Sequence, residues 1–333
     1  LARPELAILM AYSKMQLYQA LLAGNLPQSE GIQELYRSYF PARARQLFGD
    51  RLAGHPLARE IAATVVTNRV INQAGSPLLS QLATKTGTSV TQVCATYLTL
   101  DQVFSGAELR RQLYRLDDRC SADLQAALLL RLENLLASQV AWALEQELGL
   151  EPGIETVESL RNQAEALVAN LGEVLDAGAN AKLRQEQLRL RQLGLPEQPA
   201  RMLAQLTVMD HFLAVVTLAQ ASGREPPLVA KSHNEVRHYF GVDETLDAMG
   251  AVPLRDRWDR QALHALQGGL NATCYKLALA VWQQADGQLD GYLAARRSKV
   301  KFYLALRDAA RREVSGNFHP FLALARGLDG LLG

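Results

Sequence analysis

Apolar residues recur along almost the whole chain at spacings of three and four, and no stretch keeps the bounded apolar-polar alternation of a strand. The pattern predicts an all-α protein with little or no sheet. Pro4 suits a first helical turn, and a helix carrying Leu6, Leu9, Met10, Leu17 and Leu21 can stop at Gly24, ahead of Asn25-Leu26-Pro27. A second helix should end at Phe40-Pro41, and Pro56 and Gly75 bracket a third of about five turns. Ser89 with Gln92 and Ser105 with Glu108 have capping-box spacing, in which the serine oxygen and the later side chain satisfy free first-turn amides. Two further helix starts follow. Ser121 to Leu148 reads as a long helix ended by Gly149, and Glu151-Pro152-Gly153 is the clearest break in the chain.

Beyond that break, residues 156–194 read as a helical hairpin exposed on one side, with 185–194 at its outer end. Pro199 to Ala221 is more uniformly apolar, through Met202, Leu203, Leu206, Met209, Phe212, Leu213, Val216 and Leu218, and is expected inside the bundle. Gly223 and Pro226-Pro227 close it, and helices are expected at Val229–Phe240, Trp258–Ala285 and Leu289–Arg312. A length of 333 residues exceeds what one core usually serves. The expected architecture is therefore a multi-helix bundle of two packed subdomains, residues 1–150 and 151–333.

Charge narrows the range of partners. Lys and Arg number 35 against 34 Asp and Glu, so no global field gathers nucleic acid or an anionic membrane. Arg296, Arg297, Lys299, Lys301, Arg307, Arg311 and Arg312 concentrate positive charge against only Asp308, but Val300, Phe302, Tyr303, Leu304 and Leu306 run through the same segment. That reads as the solvated side of an amphipathic helix, or as cations paired with acids elsewhere. Cys94, Cys120 and Cys274 are odd in number and far apart, which fits neither a disulfide framework nor a zinc site and points to the reducing cytoplasm. No apolar run reaches the roughly 18 residues of a membrane span, and Leu1-Ala2-Arg3-Pro4 does not open a signal peptide. The absence of an initiating Met reads as a piece of a longer polypeptide.

A search for chemistry finds little. There is no Gly-x-Gly-x-x-Gly after a strand and no P-loop, and Gly268-Gly269 sit inside a helical pattern. None of His55, His211, His233, His238, His264 and His319 stands four residues from another, the spacing that aims two imidazoles at one metal. Asp210-His211 has no accompanying nucleophile or oxyanion donor and reads as a half-buried histidine with a hydrogen-bond partner. No catalytic, cofactor-binding or metal-ligating residue is assigned. The best polar constellation is Thr64, Asn68 and Asn72, which steps of four place within about 80 degrees on one helical face. Ile61 and Val65 share that face. If buried, the amides need partners inside the chain; otherwise they face something outside it. Trp142, Trp258 and Trp282 sit among aliphatic residues, and Trp258 is expected to be a packing anchor.

Several stretches carry a likeness. Arg3-Pro4-Glu5-Leu6-Ala7-Ile8-Leu9-Met10-Ala11-Tyr12-Ser13-Lys14 is followed by Arg59-Glu60-Ile61-Ala62-Ala63-Thr64, Asn68, Asn72 and Gly75, then by Tyr239-Phe240-Gly241, Arg257-Trp258 and Ala262-Leu263. In this order they resemble the segment that follows the catalytic domain in the large bacterial NAD-specific glutamate dehydrogenases, over most of residues 1–290. The sequence departs from that family at Gly75-Ser76-Pro77, where paired glycines are expected, and at residues 247–253, which lack a Trp-Leu pair.

The resemblance implies a parent enzyme that oxidises L-glutamate with NAD and water to 2-oxoglutarate, ammonia and NADH. It also implies that this piece is inactive alone and holds no cofactor. Its partners would be the catalytic domain of the same polypeptide, adjoining residues 1–150, and neighbouring subunits of a homo-oligomer. Thr64, Asn68 and Asn72 would then face that domain or its cleft. The alternative is a free-standing helical interaction module, and an upstream coding sequence with an in-frame dinucleotide fold would decide between them.

Overall fold

Pro4 pre-sets the backbone of a first helical turn, and the Glu5 carboxylate accepts the Ala2 amide at 2.7 Å. Helix α1 (Arg3–Ala23) therefore starts there and ends where the Gly24 amide reaches back to the Ala20 carbonyl. The computed structural model describes residues 2–117, 119–312 and 316–333, without the side chains of Asp50 and Arg312. Among the described residues it contains helices and no strand.

After α1 come α2 (Glu30–Arg37), α3 (Ala42–Phe48) and α4 (Ala58–Thr86). The expected stop at Gly75 is a kink, with φ 78° and ψ 162°, after which the helix resumes to Thr86. Pro77 lies in the first turn beyond the kink, where its missing N–H has no intrahelical acceptor to lose. Then follow α5 (Val90–Val103), α6 (Gly106–Tyr114) and α7 (Ala122–Glu145).

Ser89 and Ser121 cap α5 and α7 as expected, their oxygens accepting the amides of Gln92 and Leu124. The Gln92 side chain donates to the Leu150 carbonyl instead of closing a box. Ser105 corrects its expectation. Helix α6 starts beside it, but the chain turns so tightly out of α5 that Ser105 takes φ 52° and its side chain caps nothing.

The remaining helices are α8 (Ile154–Ala169), α9 (Leu171–Val174), α10 (Ala177–Gln192), α11 (Glu197–Leu206), α12 (Phe212–Ser222), α13 (Pro226–Phe240), α14 (Val242–Gly250), α15 (Arg257–Ala285), α16 (Leu289–Ala294), α17 (Arg297–Arg312) and α18 (His319–Asp329). The chain divides into two compact units, Leu1–Glu165 with Ala181–Leu213, and Ala166–Asn180 with Ala214–Gly333.

In the first unit α4 is the central helix, packed against α1, α2, α5 and α7. It buries Ala62, Ala63, Val66, Val70 and Ile71, and α5 buries Val93, Tyr97 and Leu100. Small residues on α4 let neighbouring helices approach closely. Helix α10 is tied to α7 by Arg131 and Glu186, 2.8 Å apart, and Leu190 is fully buried. The apolar stretch 199–221 is buried as expected but bends between α11 and α12. Gln139 of α7 clips that bend, donating to the Asp210 carbonyl at 2.5 Å and accepting the Leu213 amide at 2.9 Å.

In the second unit α15 packs against α13, α14, α16 and α18. Asp256 caps it by accepting the amides of Trp258 and Asp259 at 2.7 and 2.9 Å. The core gathers Val229, Phe240, Leu270, Leu277, Val281, Tyr303 and Leu328. Phe240 and Tyr303 meet edge to face, and the Tyr303 hydroxyl donates to the Phe240 carbonyl. The single helix expected over 289–312 is two, α16 and α17. At the turn between them Arg296 donates to the Leu331 carbonyl at 3.1 Å and lies over the Tyr292 ring.

Candidate functional site

Thr64, Asn68 and Asn72 lie on one face of α4, as their spacing requires, and that face is exposed. Ile61 and Val65 on the same side are half-buried, while the fully buried face is the opposite one. The Thr64 hydroxyl donates to the Glu60 carbonyl at 2.8 Å. Among the described residues neither Asn68 nor Asn72 has a side-chain hydrogen-bond partner, and both amides are open to solvent. The stripe offers paired donors and acceptors that do not titrate. Such groups suit recognition, and no nucleophile or base stands with them. In this chain alone, Asn68→Ala and Asn72→Ala should each change stability by no more than about 0.5 kcal/mol. Urea unfolding checks this, and a loss above that range would mean that the amides serve the chain's own packing.

What fixes the orientation of the stripe lies beneath it. Arg69, next to Asn68, donates to Asp101 of α5 at 2.8 Å. The other Asp101 oxygen takes Arg110 of α6 at 2.5 Å, and Arg110 also reaches Glu133 of α7 and the Tyr97 hydroxyl at 2.9 Å. Tyr97 in turn donates to Glu133 at 2.8 Å. Two cations and two carboxylates thus close a neutral network joining α4, α5, α6 and α7. Burial raises the Glu133 carboxyl above its ordinary range against the opposing pull of Arg110, and it also raises the Tyr97 phenol. The network was not among the sequence candidates. Its one signal was Asp101 standing in the apolar run Cys94–Phe104.

Trp258 is not the core anchor that its aliphatic neighbours suggested. It is 62% exposed, under the Arg257 guanidinium at 4.7 Å. The reason is its place in the first turn of α15, where side chains point back past the helix start; the buried face of α15 begins at Leu266. Trp142 is buried and Trp282 half-buried.

The other candidates are dispersed. Among the described residues no three His, Cys, Asp or Glu side chains gather as a metal site. His233 is buried on α13 and His238 exposed. The thiols of Cys94 and Cys274 are fully buried, and burial pushes Cys274 up to about 11. In the basic segment Arg307 donates to the Tyr239 carbonyl and pairs with Asp308, and Arg311 lies 3.9 Å from Glu244. Arg297, Lys299 and Lys301 are exposed beside the buried Val300 and Tyr303, as an amphipathic helix requires. The side chain of Arg312 lies outside the described residues. An open recess of about 640 Å³ in the first unit is lined by Asn25, Gln28, Ser29, Thr91, Gln92 and Glu151, without a nucleophile paired to a base. No helix among the described residues is long and apolar enough to cross a membrane.

Residues 1–329 match the family described as "Glutamate dehydrogenase, C-terminal". The chain is 26% identical over 287 residues to the NAD-specific glutamate dehydrogenase of Pseudomonas aeruginosa, covering 86% of this chain and 18% of that protein. With the enzyme of the same name from Halomonas elongata it shares 23% over 334 residues, 98% of this chain and 21% of that one. With that of Mycobacterium tuberculosis it shares 26% over 297 residues, 86% and 18%. The chain spans about a fifth of the length of the curated relatives it matches.

Proposed function

The chain belongs to the glutamate dehydrogenase C-terminal family, and on that premise we propose that it is a non-catalytic helical module of a cytoplasmic NAD-specific glutamate dehydrogenase. The parent enzyme oxidises L-glutamate to 2-oxoglutarate and ammonia and reduces NAD, with its catalytic domain and NAD site upstream. The module, through its residues 1–150, packs on that domain, and neighbouring subunits of a homo-oligomer are its further partners. It holds the assembly in shape and carries out no chemistry itself.

One observation carries this reading. Thr64, Asn68 and Asn72 form an exposed stripe on the central helix of the first unit, held outward by a buried ionic network and lacking internal work for its amides. Pre-oriented polar groups on a rigid helix suit a fixed partner surface. Trp258, exposed under Arg257, is a further candidate contact, since aromatic and arginine side chains are enriched where interfaces anchor.

NAD-dependent glutamate oxidation tests the proposal in three samples: the full-length polypeptide, the polypeptide ended before Leu1, and the latter with this chain added in trans. The truncated form should lose most of its activity and recover part of it in trans. Full activity of the truncated form would leave the free-standing interaction module as the better account.

A further inference from the structure

The N-terminal half of α1 has no inside. Every residue from Ala2 to Leu9 is exposed, and Leu6, Ile8, Leu9, Tyr12 and Met15 place large apolar side chains over about half of the helix circumference, with Ile8 58% and Tyr12 59% exposed. Burial begins only at Leu17 and Leu21. A contiguous exposed apolar surface of this kind marks a contact on a folded protein.

Resting on the function proposed above, we infer that the apolar face of these first turns is covered by the upstream polypeptide of the same chain. Two observations select this occupant. The family match begins at residue 1 and covers about a fifth of each relative. The family is described as C-terminal, and a C-terminal segment of that share follows the larger part of its polypeptide. The second is register. Arg59 at the start of α4 donates to the carbonyls of Leu22 and Gly24 at 2.5 and 2.6 Å, so α1 and α4 run antiparallel. Counted along the pair at roughly 1.5 Å per residue, Asn72 stands about level with Met10. The apolar turns of α1 and the far end of the amide stripe therefore lie at the same end of the helix pair. A partner that covers this end of the pair meets both.

The test is thiol labelling of Ile8→Cys and Tyr12→Cys in the full-length polypeptide, resolved by peptide mapping and compared with the same sites in the urea-unfolded chain. Labelling should be slower by at least about tenfold when folded. Rates within about threefold of the unfolded chain would overturn the inference. So would protection that vanishes when the enzyme is diluted to monomers, because a second copy would then be the cover. Free labelling in an enzyme whose activity still depends on this module sinks only the surface assigned here. If activity does not depend on the module, the functional reading falls with it.

Discussion

Asp101→Asn should destabilise the protein by about 3–5 kcal/mol, because it leaves Arg69 and Arg110 sharing a site that has lost one of its two negative charges. Asp101 is the acceptor for both guanidiniums, and with Arg110 it is almost completely buried. Water cannot replace the lost charge there, and the new amide presents an N–H to a cation. Gly106 leaves no room to rearrange: a Cβ there would stand 2.1 Å from Asp101 Oδ1. Glu133→Gln should cost less. Its carboxylate is partly exposed, burial already favours its protonated form, and the amide oxygen still accepts from Tyr97. Urea unfolding of the two variants measures the difference through the midpoint at unchanged slope. A loss below about 1 kcal/mol for Asp101→Asn would show that the network does not hold α4 in place.

Gly31→Ala should be the second large loss, about 2–4 kcal/mol from overpacking together with a lost hydrogen bond. The Gly31 amide donates to the Pro152 carbonyl at 2.8 Å, and a Cβ would lie 2.0 Å from that same oxygen. Both colliding groups are backbone, so no side chain can swing aside. Either α2 or the Glu151–Gly153 segment must move, and the Gln102 side chain that donates to the Gly31 carbonyl would move with it. Thermal unfolding of Gly31→Ala beside Gly54→Ala separates this from a general effect of removing glycine, since a Cβ at Gly54 meets nothing.

The features legible in the sequence were those that one or two residues decide locally. Gly24, Gly75, Ser89, Ser121 and Asp256 act through their own backbone angles or caps; the stop at Gly24 and the starts at Ser89 and Ser121 were read correctly, while the stop expected at Gly75 is a kink. Helix α14 was missed because a single residue, Gly241 at φ 66°, both ends α13 and begins it. The break between α16 and α17 carries no glycine or proline and is set by Arg296 and Tyr292 reaching the Leu331 carbonyl, a contact between distant positions.

The stripe shows the same division. Spacing placed Thr64, Asn68 and Asn72 together, but could not say which side of α4 the neighbouring helices cover. Ile61 and Val65 pointed to burial, yet the covered face carries Ala62, Ala63, Val66 and Val70, where small residues admit α1, α5 and α7. The partners of Asp101 come from two other helices, and Glu133 of a third closes the network through Arg110, so it could not be read from periodicity. Trp258 was misjudged because composition does not report position along a helix, and a first-turn side chain points away from the core that its later neighbours line.

Docking of this module on the catalytic part of its own polypeptide is read out by sedimentation velocity. The upstream polypeptide and this chain would be mixed at equal concentration, with Asn68→Asp/Asn72→Asp as the comparison. One faster-moving boundary containing both chains is expected, lost or weakened by at least about tenfold in affinity in the charged variant. Two independent boundaries, each at the mass of its component alone, would contradict the docking.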